Sequence, residues 1–164
     1  MMPTAHPAMP RTPKPITGAP VAAALLVRGV CRALEQLGYS SLAEFPLANG
    51  RRADVLALGR AGELVIVEVK SSVADFRADQ KWPAYRDFSD RLYFAVASGF
   101  PTVLIPEECG LMVADRFGAA LVRDGAATAL GPARRRALTL RFAHIAAARL
   151  RRSIDPEIGR FAGI

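Results

Sequence analysis

The first large apolar residues of the chain recur at helical spacing. Leu26, Val30 and Leu34 fall on one face of a helix, which is predicted over Val21–Leu37. Gly38 follows directly, and glycine commonly ends a helix because it adopts left-handed backbone angles without a steric penalty. The folded part of the chain is therefore expected to open with one amphipathic helix.

Four apolar runs after this helix have the length of strands. They are Ser41–Leu47, Asp54–Leu58, Leu64–Lys70 and Arg91–Ala97. A second helix is predicted from about Ala74 to Phe88, with a break near Trp82 because Pro83 cannot sit inside a regular helix. A helix between two strands allows those strands to run parallel. The pattern predicts an α/β fold of order αβββαβ, with a mixed central sheet flanked by helices.

The remaining segments extend this core and add a tail at each end. Short strands are predicted at Thr102–Ile105, Leu111–Ala114 and Ala119–Val122. A long helix is predicted over Gly131–Ser153. Its apolar stripe consists of Leu138, Phe142, Ala146 and Leu150. Six of the twelve prolines lie in residues 1–20, which are expected to form a disordered tail. The sequence thus divides into a tail over 1–20, one domain over 21–153 and a C-terminal tail over 154–164.

The second and third predicted strands form a β-hairpin that gathers three charged residues. A turn centred on Ala61 places Asp54 opposite Glu68, so that the two side chains point to the same side of the sheet. Lys70 lies two residues beyond Glu68 and shares that side. The strand carrying Glu68 and Lys70 is otherwise continuously apolar, which is typical of burial on both faces. Three charges are therefore predicted at a buried end of the hairpin.

Charges in a buried place are costly unless they are paired or bind a metal. Asp54 and Glu68 would repel each other, and a divalent cation removes that repulsion; Mg²⁺ takes one or two carboxylates and keeps several waters. We therefore predict Mg²⁺ or Mn²⁺ at Asp54 and Glu68, with the Val69 carbonyl as a further ligand. Lys70 would then position the attacking water. The alternative is a buried salt-bridge cluster that closes the edge of the sheet.

The spacing of these residues resembles a known nuclease motif. Asp54, followed after thirteen residues by Glu68-Val69-Lys70, resembles the motif of the PD-(D/E)XK, or restriction-endonuclease-like, superfamily. Ala53 stands where that motif has a proline, whereas the Glu-x-Lys half is intact. The resemblance implies metal-dependent hydrolysis of DNA phosphodiester bonds, leaving a 5′-phosphate and a 3′-hydroxyl.

The same resemblance suggests additional site residues. In that superfamily a glutamate on the first helix sometimes completes the metal site, which makes Glu35 a candidate; pairing with Arg32 is the alternative role. Glu44 precedes the hairpin and is preferred as the fourth catalytic residue, the alternative being a glutamate that faces solvent. The helix after the motif lies beside the active site in the superfamily. Candidate contacts to DNA on the hairpin and this helix are Arg51, Arg52, Gln80, Lys81, Trp82, Tyr85 and Arg86. The alternatives are core packing for Trp82 and Tyr85 and solvated strand capping for the two arginines.

Charge is concentrated near the C-terminus. The net charge is +7, yet residues 21–130 are close to neutral and residues 131–164 carry eight arginines against two acidic residues. Arg134, Arg141 and Arg152 align on one face of the predicted long helix, at about 100° per residue. We interpret them as a stripe that follows the phosphates of DNA, the alternative being a solvated face.

Cysteine use and hydropathy point to a cytoplasmic protein. Cys31 and Cys109 have neither metal-binding spacing nor a disulfide framework, so both are expected to be reduced. No run of about 18 apolar residues is present, so no membrane partner is expected.

A longer stretch resembles one family in particular. The string from Gly50 to Pro83 is similar to the MmcB family of bacterial DNA repair proteins, and the likeness runs from about Gly38 to Leu150. Later segments that carry it are RLYFAVA, IPEECGLMVAD and ALTLRFAHIAAARL. It implies a nuclease-like fold, DNA as the partner and a role in the response to DNA damage; many superfamily members are dimers, so a homodimer is an option. The expected function is a Mg²⁺-dependent DNA repair nuclease. The alternatives are a non-cleaving binder of damaged or branched DNA and a protein adaptor with a vestigial site.

Overall fold

The computed structural model describes residues 23–158 in two compact units, one ending at Leu130 and the other beginning at Gly131. The single domain predicted over 21–153 spans both units. The predicted tail over 1–20 lies outside the described residues, as do residues 159–164 of the predicted C-terminal tail.

The first unit is built on one six-stranded mixed sheet. Its strands are β1 (Tyr39–Pro46), β2 (Arg52–Gly59), β3 (Leu64–Lys70), β4 (Arg91–Ala97), β5 (Gly110–Ala114) and β6 (Ala119–Arg123). They lie side by side in chain order. The pairs β3–β4 and β4–β5 are parallel, and the other three pairs are antiparallel. The predicted crossover between two parallel strands, β3 and β4, is confirmed, and so is the mixed α/β architecture.

Helix α1 (Ala23–Gln36) covers one face of this sheet. Leu26, Val30 and Leu34 are buried, and they belong to a cluster that includes β-strand residues such as Val67 and Tyr93. The helix is followed by Gly38 at φ +86°, the left-handed conformation expected at a helix end. The predicted helix over Val21–Leu37 is therefore confirmed within the described residues.

The opposite face of the sheet is covered by two short helical pieces. They are α2 (Val73–Ala78) and a 3₁₀ segment over Trp82–Phe88. Phe76 and Trp82 pack edge-to-face on Phe94 of β4, with ring centroids 5.4 Å and 6.0 Å from it. The predicted helical segment is broken, as Pro83 required, and its regular part ends earlier than expected, at Ala78.

Strand β3 is buried along its whole length, as its apolar run predicted. Register in the sheet places Glu68 beside Phe94 and Lys70 beside Val96. Because alternate residues of a strand point to opposite faces, Glu68 and Lys70 lie on the face that carries α2, not the face that carries α1. Asp54 of β2 shares their face by the same alternation.

One predicted strand is wrong. Thr102–Leu104 is a 3₁₀ helix, not part of a strand over Thr102–Ile105. The segment lies between Pro101 and Pro106, and proline removes the backbone donors that a strand needs. Val103 is 89% exposed, so no partner strand buries it.

The second unit contains α3 (Pro132–Ile154), close to the predicted Gly131–Ser153. Its buried side chains are Leu138 and Phe142. The predicted stripe is wrong at its far end, because Leu150 is 62% exposed. Steps of four residues turn by about 400°, so each one drifts about 40° around the helix. After three such steps Leu150 lies about 120° from Leu138.

Candidate active site

The open end of the β2–β3 hairpin is held by two carboxylates. The last paired residues of the ladder are Val55 and Val67. One residue further, the Asp54 backbone N–H donates to Glu68 Oε1 at 3.2 Å, and the Val69 N–H donates to Asp54 Oδ2 at 2.8 Å. Each side chain thus takes a place that a backbone carbonyl would occupy in a continuing ladder. The structure brings Asp54 and Glu68 together as the turn position predicted.

Lys70 joins these carboxylates through its ammonium group. Its Nζ lies 3.8 Å from Glu68 Oε2 and only 2.6 Å from Asp79 Oδ2. The residue is 5% exposed, and Glu68 is 3% exposed. Lys70 is therefore a nearly buried cation placed between two carboxylates, and the nearer of the two is Asp79.

The surroundings of Asp54 and Glu68 disfavour the ionised form of both side chains. Burial, reinforced by the neighbouring charge of Asp54, raises the pKa of Glu68 to about 8. Burial also raises the pKa of Asp54, against the lowering effect of the Val69 N–H and the Lys70 charge. A bound cation would relieve both groups.

For Lys70 and Asp79, in contrast, the surroundings favour the charged forms. Burial alone would lower the pKa of Lys70, but the hydrogen bond and charge of Asp79, together with Glu68, outweigh it and raise that pKa. Burial opposes ionisation of Asp79, yet the hydrogen bond from Lys70 holds the pKa of this carboxyl below its usual value. Lys70 and Asp79 therefore form a charged pair beside two carboxylates that are not matched by a cation.

Sequence reasoning missed Asp79 and its neighbour Asp75. Asp75 forms the N-terminal cap of α2 with Ser72, whose hydroxyl accepts from the Asp75 N–H at 3.1 Å. Asp79 ends the same helix, and its Oδ1 accepts from the Lys81 N–H at 2.9 Å. The signal was the i, i+4 spacing of two aspartates on the helix that follows a lysine expected to be buried.

Glu44 has an unusual backbone. Ala43 pairs with Val55 and Phe45 with Ala53, so the register sets Glu44 opposite Asp54. Glu44 itself has φ +53°, a left-handed conformation that is uncommon for a residue other than glycine. Strained positions of this kind cluster at functional sites. Glu44 therefore lies opposite Asp54 in the register, and its role as a catalytic residue stays a prediction.

The Glu44 side chain is paired with an arginine that was also predicted to belong to the site. Its Oε2 lies 2.5 Å from Arg52 Nε. Both side chains are about half or more exposed, so this is a surface ion pair of small energy that a competing phosphate can rearrange.

These residues line one cleft of about 750 Å³. Predicted site residues in its lining are Glu44, Arg52, Asp54, Glu68, Val69, Lys70, Lys81 and Tyr85. The lining also includes Asp75 and Asp79, and α1 contributes Ala23, Ala24 and Val27. Among the described residues, Glu35 lies outside this lining.

Several residues predicted to contact DNA do not line the cleft. Among the described residues, Arg51, Gln80, Trp82 and Arg86 are outside its lining. The Gln80 amide donates to the Arg77 carbonyl at 3.0 Å. The Arg86 guanidinium lies 5.9 Å from the centroid of the Trp82 ring and 3.9 Å from a Glu108 oxygen.

The two aromatic residues predicted to contact DNA, Trp82 and Tyr85, make contacts within the fold, and Tyr85 also lines the cleft. Tyr85 is 7% exposed, and its hydroxyl donates to the Arg52 carbonyl at 3.2 Å. Trp82 is half-buried against Phe94. Core packing, the alternative weighed for both side chains, accounts for what they contact.

The arginine stripe is carried by the second unit. Arg134, Arg141 and Arg152 are all exposed on α3. Their alignment follows from the helix being regular from Pro132 to Ile154.

The chain matches a known protein family over most of its length. A family model described as "DNA repair protein MmcB-like" matches residues 11–157. The chain belongs to this MmcB-like family of DNA repair proteins. A solved structure with a similar fold is described as "SPO1766 protein of unknown function from Silicibacter pomeroyi". It is 44% identical, with a TM-score of 0.81, and the match covers 87% of this chain and 96% of that one. No curated protein sequence matched the chain.

The donor set at the hairpin end of this MmcB-like chain suits a small divalent cation. Within residues 23–158, no group of three or more histidine, cysteine or acidic side chains forms a ready-made metal site. Asp54 and Glu68 instead offer two hard carboxylates whose burial disfavours their charge. Mg²⁺ uses one or two protein carboxylates and keeps its waters, so the residues present fit that ion.

Two further predictions concern membrane-spanning helices and the state of the cysteines. Among the described residues, no helix combines the length and apolar character needed to cross a membrane. Cys31 and Cys109 are free, as expected, and burial raises the pKa of the Cys109 thiol to about 11.

Proposed function

We propose that this MmcB-like protein is a metal-dependent DNA repair nuclease with a restriction-endonuclease-like core. The proposal joins three supports: membership of a DNA repair family, the element order αβββαβ, and the charged end of the β2–β3 hairpin. DNA is the proposed partner, and phosphodiester hydrolysis is the proposed reaction.

One observation carries this proposal. Asp54 and Glu68 exchange hydrogen bonds with each other's strands at a cleft, and Lys70 lies on the same face, 3.8 Å from Glu68. A merely structural cluster would balance its charges. This one brings Glu68 and Asp79 to the ammonium of Lys70 and sets Asp54 beside Glu68, while burial, reinforced by the charge of Asp54, raises the pKa of Glu68 to about 8. Strongly perturbed pKa values of groups that line a cleft are typical of functional sites.

The side chains divide the work between metal binding and positioning. Asp54, Glu68 and the Val69 carbonyl would hold Mg²⁺ or Mn²⁺. When bound, such an ion stabilises negative charge on a phosphoryl oxygen and lowers the pKa of a bound water. Lys70 would donate to the attacking water and offset the charge that develops on the phosphate.

The proposed hydrolysis is an in-line displacement at phosphorus. The water oxygen forms a bond to phosphorus, and the bond between phosphorus and the 3′-oxygen breaks. The proton released by the water passes to solvent, and the departing 3′-oxygen takes one from solvent. The products are a 5′-phosphate and a 3′-hydroxyl. Glu44, opposite Asp54 in register, would assist at the rim of the cleft.

Basic side chains near the site would bind the DNA backbone. Arg52 and Lys81 line the cleft, and each offers a donor to a phosphate. Arg51, Gln80 and Arg86 each adjoin a lining residue in the sequence and would contact flanking nucleotides. The exposed arginines of α3 would add affinity that depends on salt and not on sequence.

A second candidate is a protein that binds damaged or branched DNA without cutting it. The observation in its favour is the Lys70–Asp79 pair at 2.6 Å, which occupies the lysine that hydrolysis would use. Such a binder would keep the fold and the basic surfaces but would not require a metal.

The two candidates are separated by a cleavage assay on duplex, flap, gapped and four-way DNA. The protein is incubated with Mg²⁺, with Mn²⁺ and with chelator. A nuclease cleaves at least one substrate in a metal-dependent manner, and Glu68→Gln and Lys70→Met each strongly reduce the cleavage while DNA affinity persists. Metal-independent binding with no cleavage of any substrate would instead establish the binder. Arg91→Met is the matched control, because it removes a half-buried cation from β4 at the other end of the sheet.

A further inference from the structure

Helix α3 carries an exposed apolar seam. We use the name outer seam for Leu140, Ala143, Ala147, Leu150 and Ile154, which are spaced by three, four, three and four residues. The three large members are 52%, 62% and 69% exposed, in chain order, and both alanines are exposed. Alternating steps of three and four are the heptad spacing of helices that pack side by side.

The outer seam is separate from the other features of this helix. At about 100° per residue, its centre lies roughly 140° around the helix from the buried pair Leu138 and Phe142. The same calculation puts it roughly 160° from Arg134, Arg141 and Arg152. The seam therefore belongs neither to the buried side of α3 nor to the arginine stripe assigned to DNA.

The charge around the outer seam restricts what can pack on it. Pro132–Ile154 contains seven arginines and no aspartate or glutamate. Arg136 lies in line with the seam at its N-terminal end, and Arg151 lies on its flank about 60° away. A parallel second copy would set Arg136 against Arg136 and Arg151 against Arg151, because neither copy offers a carboxylate within the helix. Arg151 is paired with Asp155, the residue that follows the helix, at 3.6 Å. A partner with acidic flanks would complement this charge.

We propose that the outer seam binds an amphipathic helix of a partner protein, one that has an apolar heptad stripe and acidic flanking residues. The seam spans about 21 Å, or two heptads, at 1.5 Å per residue. Leu140 and Ile154 supply large side chains at its two ends. Ala143 and Ala147 leave space between them into which large side chains of the partner insert. The seam is narrow, and Arg136 bounds it at its N-terminal end, which suits a helix better than a lipid surface.

The full chain can be tested with synthetic helical peptides. One peptide carries leucine at the heptad core positions and glutamate at the flanks, and the matched peptide carries lysine at the flanks instead. Binding is followed by calorimetry and by amide shifts of the labelled protein. We expect the acidic peptide to bind and to shift α3 residues along the seam, while the basic peptide does not bind.

Substitutions on the seam sharpen this test. Leu140→Gln and Leu150→Gln are each expected to weaken binding of the acidic peptide by roughly tenfold, since each removes one apolar side chain from the contact. Val103→Gln is the matched control, because Val103 is 89% exposed but lies on Thr102–Leu104. Melting curves verify that all three variants are folded.

Several results would overturn the proposal. They are equal binding of the two peptides, unchanged affinity of the glutamine variants, and no binding of the acidic peptide. Self-association through the seam, seen by sedimentation and lost in Leu150→Gln, would assign the seam to a second copy. Binding to phosphatidylglycerol vesicles without binding of the acidic peptide would assign it to a membrane surface. The proposal is independent of cleavage, so an inactive protein can still support it.

Discussion

The two ends of strand β3 both carry charged and polar side chains, but they balance them differently. At the Leu64 end, the Arg91 guanidinium lies 3.3 Å from Glu63 and donates to the Gly125 carbonyl at 2.5 Å. The Tyr39 hydroxyl donates to the same Glu63 carboxylate at 2.6 Å. We refer to these groups, with Tyr93 and Asp124, as the Arg91 network.

The Arg91 network also pairs its second tyrosine. The Tyr93 hydroxyl donates to Asp124 Oδ1 at 3.0 Å, and burial together with this bond raises the pKa of Tyr93 above its ordinary value. At this end, every group named has a complementary partner, and the pattern is that of structural polar groups in a fold.

The Lys70 end has more carboxyl groups than cations instead. Glu68 and Asp79 lie 3.8 Å and 2.6 Å from Lys70 Nζ, Asp54 lies beside Glu68, and burial raises the pKa values of Asp54 and Glu68. An arrangement that costs stability in this way persists where function requires it. Charge at a strand end is therefore not by itself a sign of a functional site; carboxylates without a matching cation in a cleft are the informative feature.

The largest expected effect is a difference in DNA cleavage between variants at the Lys70 end and at the Arg91 end of β3. Lys70→Met should reduce cleavage by on the order of 10³-fold, because it removes the positive group beside the reacting phosphate. Arg91→Met should leave cleavage within about twofold, since the Arg91 network lies at the other end of β3. Single-turnover cleavage rates at saturating Mg²⁺ measure both. Comparable losses in the two variants would break the distinction between the ends.

The next effect is on stability and has an unusual sign. In chelator at pH 8, Glu68→Gln should raise the free energy of unfolding by a few kcal/mol, because it replaces a buried group whose charge is disfavoured. The folded-state pKa of about 8 lies above the unfolded value. The contribution of Glu68 to the stability of the wild type is therefore fully present below the unfolded-state pKa. It is lost as the pH rises through the folded-state pKa of about 8.

The advantage of Glu68→Gln should accordingly grow from about pH 4.5 to pH 8. Urea melts at several pH values measure it, and Mg²⁺ should reverse it by stabilising the wild type alone. A variant that is less stable than wild type at pH 8 in chelator would contradict the account of this carboxylate.

A smaller loss of stability is expected in the Arg91 network. Arg91→Met should lower the free energy of unfolding by about 1 to 2 kcal/mol, a value reduced for solvent screening because both ion-pair partners are about one-third exposed. The loss should not depend on Mg²⁺. Urea melts with and without Mg²⁺ measure it, and a Mg²⁺-dependent loss would mean that this end also binds the ion.

The smallest effect is expected from Tyr93→Phe. It removes one hydrogen bond, to Asp124, and should cost about 0.5 to 1.5 kcal/mol of stability. Cleavage should be unchanged. Any change of more than a few-fold in the rate would indicate that the Arg91 network influences the cleft.

The central part of the fold could be predicted because its signals are local. β3 and β4 have the bounds that their apolar runs predicted, since both are buried and flanked by polar residues. The hairpin register follows from the turn, which fixes Leu58 opposite Leu64. Asp54 and Glu68 were found together for the same reason.

The missed features depend on tertiary contacts or on angular drift. The nearest partner of Lys70 is Asp79. This contact forms because α2 ends at Ala78, so that Asp79 caps the helix next to Lys70. Leu150 belongs to the predicted apolar stripe yet is exposed, because successive i+4 steps drift around the helix. The strand predicted at Thr102 failed because two prolines limited its pairing. The contact partners of Trp82 and Tyr85 could not be deduced from spacing alone.

The most direct test of the unmatched charge is the binding of Mn²⁺ to the protein without DNA, followed by paramagnetic broadening of amide resonances. We expect broadening that is centred on Asp54, Glu68 and Val69, is absent around Arg91 and is lost in Glu68→Gln. Broadening centred elsewhere, or unchanged in Glu68→Gln, would contradict the assignment of the metal site to the end of this hairpin.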